Sequence, residues 1–365
     1  MAALCLAGLL LSTTGIVWFL WQRLDGNIHT DTGVEAELRK YMKGRPDPSK
    51  TGAENVLLIG TDNRSGSGQA YGRDSGTARS DTVILLHLAA GRRSVTAVSI
   101  PRDLMVHVPS CTRPDGSRTR AKLAQFNWAF AWGGTACTIR TVEQLTSVRV
   151  NHHLTVDFIG FKRMVDALGG VEVCMPYPVH DKDARLDLPA GRQILGGEKA
   201  LGYVRARHGF GDGSDTERMD RQQIFLASLV RKTESQGVLL NPTKLYPVLD
   251  AATSSLSADP GLNSLTKLYA LVNGLQDIPM SKVRFLTVPR EPYPYDVNRD
   301  QLVQPGATLL FAALRDDRQV TVESLGPEPR PPSAPPSVTA PPPGGAGPTY
   351  RGTTADHDIC REPSR

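Results

Sequence analysis

Three short apolar runs follow residue 53. Residues 55–60 (NVLLIG), 82–88 (TVILLHL) and 94–100 (SVTAVSI) each read as a buried strand, the first ending in glycine and the third stopped by Pro101. They lack clean alternation, which suits a central sheet covered on both faces. Helical periodicity predicts 121–132 and 135–147 on either side of Gly133-Gly134, and 157–168 ahead of a Gly169-Gly170 C-cap. Residues 171–175 return as a strand. Helices follow at 197–205, 215–232 and 263–275, and a last strand at 283–288. Strands and helices alternate through one body, so the expected fold is a single α/β domain: a mixed sheet between two helical layers. In such folds ligands bind beyond the strand ends.

The two ends of the chain differ from this pattern. Residues 2–21 hold no charge, and about 20 such residues on a helix span roughly 30 Å of hydrocarbon. Trp18 and Trp21 suit an interface. No A-x-A site follows the run, which favours a retained transmembrane anchor over a cleaved leader. No Lys or Arg precedes the run and Arg23 follows it, so the positive-inside rule gives no support for an outside body. At the other end, 11 of the 27 prolines lie beyond Gly326. That composition predicts an extended tail that buries almost nothing. The expected organisation is an anchor at 1–22, an extracytoplasmic stalk at 23–53, a catalytic body at 54–325 and a Pro-rich disordered tail at 326–365.

Composition changes this picture little. Of the 365 residues 40% are hydrophobic and 22% charged, which excludes wholesale disorder. The net charge of +5 is too small to imply nucleic-acid binding. The cysteines say more. Cys111, Cys137, Cys174 and Cys360 lie outside the anchor, an even number that fits an oxidising compartment. Cys111–Cys137 is the favoured pair, worth roughly 3 kcal/mol for a loop of that length. Cys174–Cys360 is the remaining combination. There is no C-x-x-C spacing, which argues against zinc.

The candidate chemistry lies in charges at element ends. Asp62 and Arg64 follow the first strand, Arg79 and Asp81 precede the second, and Arg102 and Asp103 follow the third. Arg205 and Arg207 follow a helix; Asp215, Arg218, Arg221 and Gln222 open the next. Any one exposed pair has little weight. Five such clusters together point to an anionic ligand, because converging guanidinium forks clamp phosphate. Asp62 and Asp81 are the candidate ligands of Mg²⁺ (or Mn²⁺), a hard cation held by one or two carboxylates beside substrate phosphates. Arg218, Gln222, Phe225 and Leu229 share one helical face, polar first and apolar later. A ligand with an anionic head and a greasy tail matches that gradient, with Phe225 and Leu229 against the tail; the alternative is that both fill the core.

The series NVLLIGTDNR, RSDTVILL, SVTAVSIPRDLMV, KLAQFNWAFAWGG, VDFIGFKRMVDALGGVEV, LGGEKALGYVRARH and DTERMDRQQIFL resembles the LytR-CpsA-Psr family, in order from about residue 54 to 232. The resemblance implies a single-pass protein of the cell membrane with its catalytic domain outside. It implies a sheet between helices with an apolar lipid tunnel. The activity implied is phosphotransfer of a glycopolymer from a polyprenyl-pyrophosphate carrier to a peptidoglycan hydroxyl, with no nucleic-acid partner. Carried over by motif, Asp62 and Asp81 resemble the metal carboxylates, and Arg79, Arg102, Arg205, Arg207, Arg218 and Gln222 the pyrophosphate contacts. Arg102, Arg205, Arg207 and Asp103 are the expected catalytic residues. Asp103 and Asp215 both remain candidates for the base, and His208 reads as a loop residue. The glycine-rich 65–78 reads as a loop over the site, and 311–321 carries no motif. Three rivals remain: a pyrophosphatase using water, a non-enzymatic envelope regulator, and a module that stores the lipid carrier.

Overall fold

The computed structural model describes residues 2–61, 80–210, 215–235, 242–324 and 348–358, without the side chains of 2–13, 17, 215–216, 242–244 and 324. Helix α1 (Ala2–Asn27) leads through the two-residue strand β1 (His29–Thr30) to α2 (Thr32–Arg39). Strands β2 (Glu54–Thr61), β3 (Ser80–Leu88) and β4 (Val95–Ile100) then form the centre of the sheet. The hairpin β5 (Met105–Val108) and β6 (Lys122–Gln125) precedes α3 (Trp128–Thr146). Strand β7 (His152–Asp157) runs into α4 (Phe158–Ala167), where the Asp157 carboxylate caps the helix by accepting from the Gly160 N–H at 2.7 Å.

Two small hairpin sheets come next: β8 (Val171–Met175) with β11 (Gly191–Leu195), and β9 (Val179–Asp181) with β10 (Leu186–Leu188). Helices α5 (Gly197–Arg205), α6 (Asp215–Ser235) and α7 (Pro242–Thr253) follow, then β12 (Leu256–Ala258), α8 (Leu265–Asn273) and β13 (Val283–Thr287). The chain continues through the hairpin β14 (Arg290–Tyr293) and β15 (Asp296–Leu302), α9 (Gly306–Arg315), β16 (Thr321–Ser324) and β17 (Thr349–Thr354).

The main sheet has the order β1-β12-β7-β2-β3-β4-β13-β17-β16. It is mixed, as expected: β2/β3 and β3/β4 are antiparallel, β2/β7 and β4/β13 parallel. Successive strand residues point to opposite faces. Leu57, Ile59, Leu85, Val98 and Ile100 meet α2, α3 and α9 on one side, while Val56, Ile84, Val95 and Ala97 meet α6 and α8 on the other. Both faces are covered, which is why the strands read as unbroken apolar runs. A third apolar cluster lies among α4, α5, α6 and the β8–β11 hairpins.

Three expectations are corrected. Residues 121–132 were expected as helix, but Lys122–Gln125 is a strand paired with Met105–Val108. Four residues of KLAQ carry no decisive period, and the partner strand settles the matter. The expected stalk at 23–53 is packed into the body: Leu24, Ile28, Val34 and Leu38 are buried, and Arg45 forms a buried ion pair with Glu143. The expected disordered tail contains β17, which pairs with β13 and β16 inside the sheet; Tyr350, Thr353 and Ala355 are buried. The rest of the Pro-rich stretch, 325–347, lies outside the described residues.

The anchor expected at 1–22 falls within α1, largely on side chains outside the described residues. Among those described, no helix is long and apolar enough to cross a membrane. The Cys111–Cys137 disulfide is present. Cys174 is a free thiol, and Cys360 lies outside the described residues.

Candidate active site

The strand register brings the charges to one edge of the sheet. Val83 pairs with Ile100, so Asp81, at the start of β3, faces Arg102 and Asp103, just past the end of β4. Arg102 joins the two carboxylates: its Nη1 donates to Asp81 Oδ1 at 3.0 Å and its Nε to Asp103 Oδ2 at 3.2 Å. All three side chains are partly exposed, so a ligand can reach them. Gln125 Nε2 donates to Asp103 Oδ1 at 2.7 Å, fixing that carboxylate from the other side.

The same edge carries Arg205. Asp157 at the end of β7 pairs with Thr61, and Thr61 pairs with Ser80. Phe158 follows Asp157, and the Arg205 guanidinium stacks over its ring, 4.7 Å from the centroid. Three strand spacings, about 14 Å, separate β7 from β4. Helix α6 closes the other side. Gln223 bonds Thr287 Oγ1, at the end of β13, at 2.6 Å, and Gln222 Nε2 donates to the Val204 carbonyl at 3.0 Å, one residue before Arg205. Helix α6 therefore ties the end of β13 to the end of α5.

The remaining candidates divide. Arg218 is buried on α6. Arg207 is exposed, and its backbone N–H donates to Asp181 Oδ2 at 2.9 Å, alongside that of His208 at 2.8 Å. His208 is an exposed loop residue 3.4 Å from Asp183. Gln222 directs one amide N–H to the Val204 carbonyl, which leaves its second N–H and its Oε1 for other partners. Phe225 is buried against Phe161 and Tyr203, at centroid distances of 5.7 and 6.3 Å, and Leu229 packs on the same cluster. Asp62, Arg64, Arg79 and the 65–78 loop lie outside the described residues, as does the Asp215 side chain. Among the described residues no group of three or more His, Cys, Asp or Glu side chains gathers as a metal site.

Sequence reasoning singled out Arg221 without its bracing role and missed Asp181, Gln125 and Phe158. Burial tends to raise the Asp181 pKa, but hydrogen bonds from the backbone N–H groups of Ala184, His208 and Arg207 outweigh it and hold the carboxyl below the ordinary range. Arg221, buried, donates to the Ala206 carbonyl and stacks on Phe210 at 3.9 Å; burial lowers its pKa. It is thus a strut between α6 and the loop carrying Arg207. Gln125 and Phe158 carry no charge, and Asp181 lies in the charged stretch 180–185 with nothing in the sequence to link it to Arg207, so only the fold shows their roles.

Known proteins share this architecture. The cell wall biosynthesis protein LcpA of Corynebacterium glutamicum is 33% identical over 273 residues, 65% of this chain and 50% of LcpA. The polyisoprenyl-teichoic acid–peptidoglycan teichoic acid transferase TagV of Bacillus subtilis is 27% identical over 261 residues, 70% of this chain and 61% of TagV. This chain therefore spans half to three fifths of those relatives. The crystal structure of B. subtilis TagV superposes with a TM-score of 0.58 at 24% identity, covering 74% of this chain and 99% of that one, and shows the same fold. The model of the LytR_cpsA_psr family matches residues 25–315, and the chain belongs to that family.

Proposed function

We propose that this protein transfers a glycopolymer from a polyprenyl-pyrophosphate carrier to a hydroxyl of peptidoglycan. The observation that carries the proposal is Arg102, held between Asp81 and Asp103 at a partly open sheet edge. The names of the relatives, one of them a teichoic acid–peptidoglycan transferase, support the substrate class.

Arg102, with Arg79, Arg205, Arg207 and Arg218, binds the pyrophosphate and offsets the charge that builds on it. The acceptor O–H attacks the phosphorus joined to the glycopolymer. A new P–O bond forms, the bond to the bridging oxygen breaks, and polyprenyl phosphate leaves. Asp103, next to Arg102, takes the acceptor proton. Asp62 and Asp81 would hold Mg²⁺ or Mn²⁺; hard carboxylate donors beside phosphate suit such a cation, which neutralises phosphate charge when bound. Phe225 and Leu229 share the helical face of Gln222, pack in the apolar cluster among α4, α5 and α6, and are assigned to the lipid tail. The uncharged run 2–21 is assigned as the membrane anchor, with the body outside.

Purified full-length protein is incubated with a lipid-pyrophosphate sugar, with and without peptidoglycan fragments. Phosphodiester-linked product that forms only with acceptor is the expected result. Free sugar phosphate formed equally in both would overturn transfer in favour of hydrolysis. Arg102→Ala should lower transfer at least 100-fold, about 2.7 kcal/mol of transition-state stabilisation. Transfer at the wild-type rate in that variant would remove the assigned site.

A further inference from the structure

Two tryptophans follow Asn127, whose backbone bonds the Arg102 carbonyl, and take no part in the steps above. Trp128 and Trp132, four residues apart at the start of α3, share a helical face. Their ring centroids are 5.5 Å apart at 69°. Trp128 is 38% exposed, although indole is among the least soluble of side chains. Lys122 on β6 places its Nζ 5.4 Å from the Trp128 ring centroid and 4.6 Å from that of Trp132.

This group is joined directly to the site. The Asn127 N–H donates to the Arg102 carbonyl at 3.0 Å, and Trp128 is one peptide, about 3.8 Å, further along. Gln125, between Lys122 and Trp128 in sequence, bonds Asp103. The group is also braced from behind. Gly133 and Gly134 leave helical geometry (φ −150°, ψ 24° and φ 58°, ψ −151°), so the two indoles stand on a turn of their own. A Cβ at Gly133 would lie 2.9 Å from Cys137 Cβ and 3.0 Å from Cys111 Cβ, so this turn rests on the disulfide. The disulfide closes the segment that contains Lys122 and both indoles.

An exposed indole face is electron-rich, and the C–H face of a pyranose ring is flat, apolar and slightly positive. The two are complementary. An ammonium held above the rings suits a carboxylate on the same saccharide. We propose that Trp128, Trp132 and Lys122 form the subsite that seats the acceptor: a glycan whose pyranose rings stack on the indoles and whose carboxylate-bearing substituents meet Lys122. The proposal rests on the transfer reading and names the acceptor side of that same site.

The test uses full-length protein in detergent. The probe is a soluble peptidoglycan tetrasaccharide with its peptide stems, titrated by calorimetry and by indole fluorescence. Trp128→Ala should weaken Kd at least tenfold, and Trp128→Phe should restore most of the loss. Lys122→Gln should weaken it several-fold and remove the preference over a neutral chitin tetrasaccharide. None of these variants should change the Kd for the lipid-pyrophosphate donor. The proposal is overturned if wild-type protein does not bind the tetrasaccharide, if folded Trp128→Ala binds it as wild type does, or if Lys122→Gln binds it as wild type does. Lys122→Gln keeps the test decisive should Trp128→Ala not fold. Glycan binding that depends on Trp128, without turnover of donor, would instead remove the transfer reading and leave the glycan subsite standing.

Discussion

Single residues hold the site through partners that are distant in sequence. Asp181 accepts four backbone N–H groups, two from its own turn and two from Arg207 and His208. Its folded pKa lies below the reference value of 3.8, so its contribution is complete above that value. The contribution is lost as pH falls through the depressed folded value. Unfolding titrations of wild type and Asp181→Asn should therefore differ most at neutral pH and converge in strong acid; a gap that widens on acidification would contradict this. Arg45 and Glu143 make a second such contact. Two short bonds, at 2.7 and 2.8 Å, join side chains only 6% and 3% exposed, and Glu143 also accepts from the Val150 N–H. Glu143→Ala strands a buried guanidinium and should cost about 3–5 kcal/mol in denaturant unfolding.

Elements depend on their neighbours as much as on their own pattern. The stretch Lys122–Gln125 fits a helix or a strand by composition; pairing with Met105–Val108 decides it. The disulfide closes this region, its cysteines standing 26 positions apart in the chain. Replacing both cysteines by serine should cost roughly 3 kcal/mol and weaken glycan binding more than donor binding. Calorimetry on the double-serine variant checks both. Strand β17 shows the same dependence. A Cβ at Gly352 would collide with the Phe285 carbonyl oxygen of β13, and with Leu286 Cβ at 3.1 Å. Gly352→Val should therefore destabilise by about 1–3 kcal/mol or more, read as a fall in Tm.

At the scale of the whole molecule, segments from both ends complete one sheet. Strand β1 pairs with β12 at one margin, and β17 lies between β13 and β16 near the other. Arg351 of β17 reaches Asp220 of α6 at 2.8 Å, and Arg231 of α6 donates to the carbonyls of Ala355 and His357. Burial raises the Tyr350 pKa to about 12, and its hydroxyl donates to the Gly306 carbonyl. A chain ending at 324 would leave the backbone edge of β13 unpaired. Such a chain should melt at lower temperature and self-associate, as measured by thermal unfolding and light scattering. It should also lose activity through α6, because Arg218 lies on the helix that β17 braces.

The sequence by itself determined the three central strands, the helices at 157–168 and 197–205, the disulfide and the charged motifs at element ends. These are legible because apolar runs, caps and charges are local patterns. Tertiary structure decided which of those charges meet. Asp81, Arg102 and Asp103 touch because antiparallel register puts the start of β3 opposite the end of β4. It also decided that 23–53 and 349–355 belong to the body. Each of those segments is too short to bury apolar surface alone, and each gains its partners only from a sheet assembled by distant parts of the chain.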